Sequence, residues 1–298
     1  MKLIEPKATL LIQEPGVEGI YKQIELCGRT CYKSEDKIAE GTAKPFVDKM
    51  IVSHHTAMLE HGTVYLKVPI NIDVAGYYLD DIATWTKCHL VQEENPKDNW
   101  WAITTNYRVL IERKWLEDLK YVCAPTEHHE KRYSFKLITS IGVTRELNRH
   151  RVHSIAEQST RYCNYAKDKF GNELTFIRPS WFDRQVAITI YGKYIPADAK
   201  GDFTQEEARF TESLSNAEES YIYLIKCGWQ PQQAREVLPL CTATEICHTA
   251  FASDWRHFLR LRYKEETGKV HPNMKQIATL IYNEFKKNGI EEVYNLNE

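Results

Sequence analysis

An α/β fold follows from two patterns that interleave along the 298-residue chain. Short runs such as 7–13 (KATLLIQ), 63–70 (TVYLKVPI) and 134–141 (SFKLITSI) have strand character. Around them lie segments with apolar residues at helical spacing, most clearly 17–27 and 204–227. The chain contains no internal repeat, low-complexity tract or evident linker. One domain over 1–298, with a long insertion around 71–132, is therefore the simplest organisation.

Taken in order, the strand at 7–13 leads into a helix at 17–27 (VEGIYKQIELC). After Gly28 the run RTCYKSED reads as a loop, and 42–53 as a second helix. His54, His55 and His61 then fall close together, but no HExxH spacing appears, so no metal is expected. The strand at 63–70 places His61 where a loop or helix end meets the sheet, a usual position for binding residues. Within 71–132 a mixed segment and the loop QEENPKDN precede a strand that runs into a helix (WWAITTNYRVLIERKWLEDLK). A further loop follows, in which His128 and His129 read as exposed. The strand at 134–141 feeds the basic segment 144–165, and 175–200 reads as a loop with proline and aromatics. A long helix fits 204–227, because Thr204 is an N-cap followed by Gln205, Glu206 and Glu207, and Gly228 stops it. A short helix runs from Pro231 to Pro239. The segment from Thr242 to Glu266 reads as one long helix that packs Phe258, Leu259 and Leu261 and gathers Arg256, Arg260 and Arg262. A last helix over 271–288 closes the chain.

Composition excludes several classes. Hydrophobic residues are 43% and charged residues 27%, a globular balance. With a net charge of −2, no global basic field drives binding to nucleic acid, so any polyanion site must be local. No apolar stretch approaches transmembrane length, and the start of the chain, broken by Glu5 and Pro6, does not read as a signal peptide. The eight cysteines form no CxxC pair, which fits reduced thiols in a cytoplasmic protein without a structural metal.

The stretch TRELNRHRVHSIAEQSTRYCNY (144–165) concentrates Arg145, Arg149, His150, Arg151, His153 and Arg161 beside Glu146 and Glu157. As a helix it would set Arg145 and Arg149 on one face, and His150 with His153 or Ser154. Cations this close repel one another unless something anionic sits among them, and the guanidinium fork suits phosphate. A charge run of this kind also reads as a solvated helix face. The cations here are Arg and His rather than Lys paired with Glu, and hydroxyls cluster at Ser154, Ser159, Thr160 and Tyr162. That mixture favours a phosphate-ester site. A phosphate-tracking helix of a nucleic-acid-binding module is the competing reading.

Arg149-His150-Arg151, seven residues and then Ser159 resemble the RHR-x7-S signature of the flavin-dependent thymidylate synthases (ThyX). Glu157-Gln158-Ser159-Thr160-Arg161-Tyr162 is similar to that family's EQSxRY, and Leu59-Glu60-His61-Gly62-Thr63 to its early EH-x-T element. Gln233 to Pro239 resembles its AR-x-xLP helix, and Trp255 to Arg262 its late HF-x-x-LR element. The resemblance implies an α/β fold with a mixed or antiparallel sheet flanked by helices, assembled as a homotetramer. It also implies methylation of dUMP to dTMP, with 5,10-methylenetetrahydrofolate as carbon donor and NADPH-reduced FAD as hydride source. By matching position, Thr63, Arg149, His150, Arg151, Glu157 and His257 would contact FAD, and so would Phe251, Ala252 and Ser253 through backbone. Glu146, Leu147, Asn148, Arg149, Glu157, Gln158, Ser159, Thr160, Arg161, Arg235 and Arg262 would line a dUMP pocket shared between chains. Arg262, His61 and Ser159 would stand nearest the reaction, His61 beside the flavin on the folate side. No partner of nucleic-acid or membrane type is implied.

The residue types suit that chemistry. Uracil C5 is a poor nucleophile until negative charge is drawn onto N3 and the carbonyl oxygens, which a guanidinium at Arg262 would stabilise. Arg149 and Arg161 suit the nucleotide phosphate, and Arg151 the flavin pyrophosphate. Ser159 lies in no GxSxG elbow and reads as a ligand-binding hydroxyl, and Cys163 as a buried thiol rather than a nucleophile. Two positions depart from the family pattern. Ala156 replaces a common Asn, and Glu146, where Gln is common, brings a carboxylate towards an anionic nucleotide.

Overall fold

The computed structural model describes residues 1–72, 75–80, 85–167, 170–182, 186–190, 193–196 and 204–296. The first half holds β1 (Lys2–Ile4), β2 (Lys7–Leu11), α1 (Gly16–Thr30), α2 (Ala43–Val52), β3 (Thr63–Pro69), α3 (Ala75–Asp80), β4 (Lys87–Val91), β5 (Trp100–Asn106) and α4 (Tyr107–Arg113). Then come β6 (Arg132–Ser140), α5 (Ile141–Leu147), β7 (Ser154–Glu157), β8 (Thr175–Ile177), β9 (Val186–Ile190) and β10 (Lys193–Pro196). The chain finishes with α6 (Gln205–Lys226), α7 (Pro231–Ala234), β11 (Ala243–Phe251), α8 (Ala252–Arg262), α9 (Pro272–Lys287) and α10 (Glu291–Tyr294).

Four strands in the order β2-β6-β11-β7 form an antiparallel sheet, and β3-β5-β4 form a second one. The larger sheet is covered on both faces. Phe135, Leu137, Ile246 and Ala250 pack beneath Trp255, Phe258 and Leu259 of α8 and Met274, Ile277, Ile281 and Phe285 of α9. On the other face, α1 and the 3-10 turn Thr56–His61 lie against β7 and β11, and Cys247 meets Cys27. α1 and α2 then pack with β3, β5 and α4 around Ile24, Val47, Leu59, Leu66 and Ile103. Mixed α/β architecture with antiparallel sheets is thus observed.

The strands expected at 7–13, 63–70 and 134–141 and the helix at 42–53 are present as β2, β3, β6 and α2. α6 begins as expected. Thr204 and Glu207 exchange side-chain and backbone hydrogen bonds in a capping box, and Gly228 adopts φ +91° just after the helix ends.

Four expectations are corrected. First, 144–165 is not one helix: α5 stops at Leu147, a turn follows, and Ser154–Glu157 becomes the edge strand β7. The run has few apolar residues to pack a helix, whereas the ladder of β11 offers hydrogen-bond partners to Ser154–Glu157. Second, 242–251 is strand β11, not helix. It is central and buried on both faces, so the polar alternation that marks a half-exposed strand is missing from its sequence. Third, α1 runs through Gly28 to Thr30, and Arg29 pairs with Glu25 one turn back. Fourth, His129 is buried, with Nε2 3.0 Å from the Leu66 carbonyl, and His128 is partly covered. Part of the loop read at 175–200 forms β8, β9 and β10, while 183–185, 191–192 and 197–200 lie outside the described residues.

Gly62 sits where the 3-10 turn enters β3, and a Cβ there would come within 2.7 Å of Ile20 and Ile24 on α1. Gly62→Ala is expected to destabilise the fold by about 1–3 kcal/mol through overpacking. Urea unfolding followed by circular dichroism measures this, and an unchanged midpoint would contradict the packing described.

Candidate active site

α8 buries Trp255, Phe258 and Leu259 against the sheet, which fixes where its last residue, Arg262, projects. Phe258 and Arg262 lie one turn apart and share a face. The His150 ring stands edge-on to Phe258 with centroids 4.9 Å apart, and Arg262 Nε donates to His150 Nε2 at 3.1 Å. Arg262 Nη1 lies 3.5 Å from the Glu146 carboxylate. Glu146 belongs to α5, which Ser140 caps by accepting from the Val143 N–H. The turn after α5 carries His150, whose N–H donates to the Leu147 carbonyl. Three sequence-predicted residues from two distant segments therefore meet.

Beneath them runs a layer of buried histidines. His153 Nδ1 lies 3.2 Å from His248 Nδ1, and the His153 ring packs on Trp255. On the opposite face of the sheet His61, completely buried, lies 2.8 Å from Thr249 Oγ1, which also contacts Ser134. Burial, aided by Arg262 and His257, brings the His150 pKa down to about 4. Burial, aided by neighbouring charge, brings His61 and His248 down to about 3 and His153 well below its usual value. Arg132 is buried too, its guanidinium donating to the Glu60 carbonyl, Thr63 Oγ1 and Ser154 Oγ, and burial lowers its pKa to about 10.

A second group gathers at the far end of β7. Asn148 Nδ2 donates to Glu157 at 3.5 Å. Burial raises the Glu157 pKa, against the opposing pull of the nearby Thr144, Asn148 and Thr244 side chains. Arg235 Nη1 donates to Thr160 Oγ1 at 3.1 Å, the Ser159 hydroxyl accepts from the Arg161 N–H, and the Gln158 amide reaches the Tyr165 hydroxyl. A cavity of about 320 Å³ opens here, lined by Gln158, Tyr165, Thr244, Glu245 and Lys33 among others. Ser154 and Glu157 lie roughly 10 Å apart at strand rise. Arg262 and Arg235 are thus tied to opposite ends of one short strand.

The remaining predicted residues divide. Arg149 and Arg151 are exposed and have no ion pair with a described residue, and Arg161, also exposed, lies over the Tyr162 ring. His257 is exposed and Leu147 is buried core. Thr63 and His61 are core groups, because β3 passes under α1: the Thr63 N–H donates to the Gln13 side chain and its hydroxyl accepts from Arg132. Thr63 does line a separate cavity of about 420 Å³, beside Gln13, Tyr65 and Arg132. Phe251 and Ala252 are buried at the β11–α8 junction. The Ala252 N–H donates to the Lys131 carbonyl, and Ser253 bonds Glu130, so those backbone groups are already engaged. Sequence reasoning missed His248, Arg132 and Thr244, single polar residues inside strands that no motif marks.

A family model described as thymidylate synthase complementing protein matches residues 99–288, a stretch that holds Arg149, Ser159, Arg235 and Arg262 but not Leu59–Thr63. A flavin-dependent thymidylate synthase from Kosmotoga olearia is 29% identical over 164 residues, 55% of this chain and 65% of that protein. A probable flavin-dependent thymidylate synthase from Paramecium bursaria Chlorella virus 1 is 25% identical over 150 residues, 50% of this chain and 65% of that protein. The alignments thus span about 65% of the length of these curated relatives. Among solved structures, a UMP/dUMP methylase PolB from Streptomyces cacaoi bound with 5-Br dUMP is similar over 96% of this chain and 93% of that one. Its TM-score is 0.44 and its sequence identity 18%.

A histidine held neutral in the fold takes up its proton on unfolding. The stability these groups contribute is complete above the unfolded pKa of about 6.5 and is lost as pH falls towards the folded values. With His61, His150 and His248 depressed to between about 3 and 4, unfolding free energy is expected to drop by up to about 1.4 kcal/mol per pH unit per histidine below about pH 6. Urea titrations at stepped pH measure the slope. Stability that stays flat from about pH 7 to about pH 5 would show that the layer is not closed to protons.

Proposed function

Because the chain belongs to the thymidylate synthase complementing protein family, we propose that it is a flavin-dependent thymidylate synthase. On this reading it methylates dUMP to dTMP, with 5,10-methylenetetrahydrofolate supplying the carbon and FAD, reduced by NADPH, supplying the hydride. The observation that carries the reading is the meeting of Arg262 with Glu146 and His150, drawn from two distant stretches of the matched segment.

The residues present suit a dinucleotide cofactor. Arg149 and Arg151 stand exposed without a carboxylate partner among the described residues, two forked cations of the kind a pyrophosphate pairs with. For the nucleotide, Arg262 stabilises negative charge on uracil N3 and O2 and so makes C5 nucleophilic. Arg161, with the Ser159 hydroxyl and Arg235 beside Thr160, binds phosphate. Glu157 and Asn148 offer hydrogen bonds to ribose hydroxyls. The protein's share of the chemistry is orientation and electrostatics.

The arginines sit at both ends of an edge strand and several remain exposed, which supports a pocket completed by a second copy of the chain in a homotetramer. No described helix is long and apolar enough to cross a membrane. With eight cysteines that form no disulfide, a cytoplasmic location is the one we propose.

The purified protein is expected to be yellow, to bleach under NADPH without oxygen, and to form dTMP from dUMP and methylenetetrahydrofolate. A colourless protein that forms none contradicts the reading. Arg262→Ala is expected to hold flavin and abolish dTMP formation, and undiminished turnover would remove that residue from the mechanism. Cys163 is buried at 1% exposure, so Cys163→Ser should keep most activity. Complete loss there would indicate a covalent thiol.

A further inference from the structure

We infer that His150 and Glu146 are positioning residues that clamp the Arg262 guanidinium from two sides and leave its Nη2 edge for the uracil; the inference rests on the thymidylate synthase reading above. Each guanidinium nitrogen has a distinct status. Nε is spent on His150 Nε2 at 3.1 Å, and Nη1 faces Glu146 at 3.5 Å. Nη2 has no hydrogen bond to any described residue. The guanidinium is planar, so anchoring two of its nitrogens sets the direction of the third.

Both anchors stand on one rigid piece. Glu146 lies in the last turn of α5 and His150 four residues on. The Arg149 N–H donates to the Glu146 carbonyl and the His150 N–H to the Leu147 carbonyl, at 3.3 and 3.0 Å. Phe258, one turn before Arg262 on α8, blocks rotation of the His150 ring by packing edge-on against it. The clamp therefore locks α8 to the turn that carries Arg149 and Arg151.

The direction of the hydrogen bond fixes the tautomer. Arginine can only donate, so His150 Nε2 must be bare and its single proton must sit on Nδ1. Burial keeps the ring in that neutral form, with a pKa of about 4. The unusual carboxylate at position 146 is explained as well: it is turned towards a guanidinium rather than towards the nucleotide.

Two substitutions separate positioning from packing. His150→Leu fills the space against Phe258 but offers no acceptor, whereas His150→Gln offers an amide oxygen at similar reach. His150→Leu is expected to lower kcat for dTMP formation roughly 100-fold at saturating FAD, with KM for dUMP changed by less than about threefold. His150→Gln is expected to recover kcat to within about tenfold of the unsubstituted enzyme. Unchanged kcat in the leucine variant, or equal losses in both variants, would each overturn the clamp. Nitrogen-15 NMR of the unsubstituted protein reads the tautomer without any turnover. A proton on Nδ1 supports the clamp, and a proton on Nε2 overturns it. An unsubstituted protein that forms no dTMP would instead count against the thymidylate synthase reading, with the tautomer still deciding the hydrogen bond.

Discussion

Double-sided burial of β11 is the constraint on which the site depends. A strand covered by α8 and α9 on one face and by α1 on the other must satisfy its polar side chains internally. Thr249 does so with His61 and Ser134, and His248 with His153. Those histidines can share so tight a space only as neutral rings, which is the state that burial enforces. β7 completes the sheet as an edge strand, and its pairing of Ser154 with Thr249 brings the preceding turn, with His150, under the end of α8.

Energetics separate Arg132 from Arg262. Arg132 is enclosed without a carboxylate at ion-pair distance among the described residues. Three oxygens from the 3-10 turn, β3 and β7 hold it, so it stitches the two sheets together at a desolvation cost. Arg262 is a fifth exposed, and its contact with Glu146 at 3.5 Å is worth no more than about 1 kcal/mol to stability. A weak pair in a well-defined place is better explained by what it orients than by what it stabilises. The exposed Arg149 and Arg151, unpaired among the described residues, fit the same division: their mutual repulsion costs stability, which a phosphate would offset on the proposed reading.

Much of this arrangement is legible in the residues. Thr204 with Glu207 announces the start of α6, the alternation of TVYLKVPI announces β3, and the RHR-x7-S spacing marks the segment that carries the candidate site. The failures share a cause. ATEICHTAF shows neither polar alternation nor turn signals, because both faces of β11 are buried, and so it reads as helix. The arginine-rich run looked helical by spacing, yet its fate was decided by a backbone ladder with β11 that local sequence does not encode. The burial of His61 and Thr63 within a motif-like element is likewise set by tertiary packing, and Thr63 still lines a cavity.

The proposed clamp places uracil at Arg262, and a crystal structure of the protein with dUMP and FAD measures that directly. It predicts Arg262 Nη2 within about 3.2 Å of uracil O2 or N3, with the contacts to His150 and Glu146 intact. Uracil seated elsewhere, with the Arg262 guanidinium free of it in every protomer, would contradict the account.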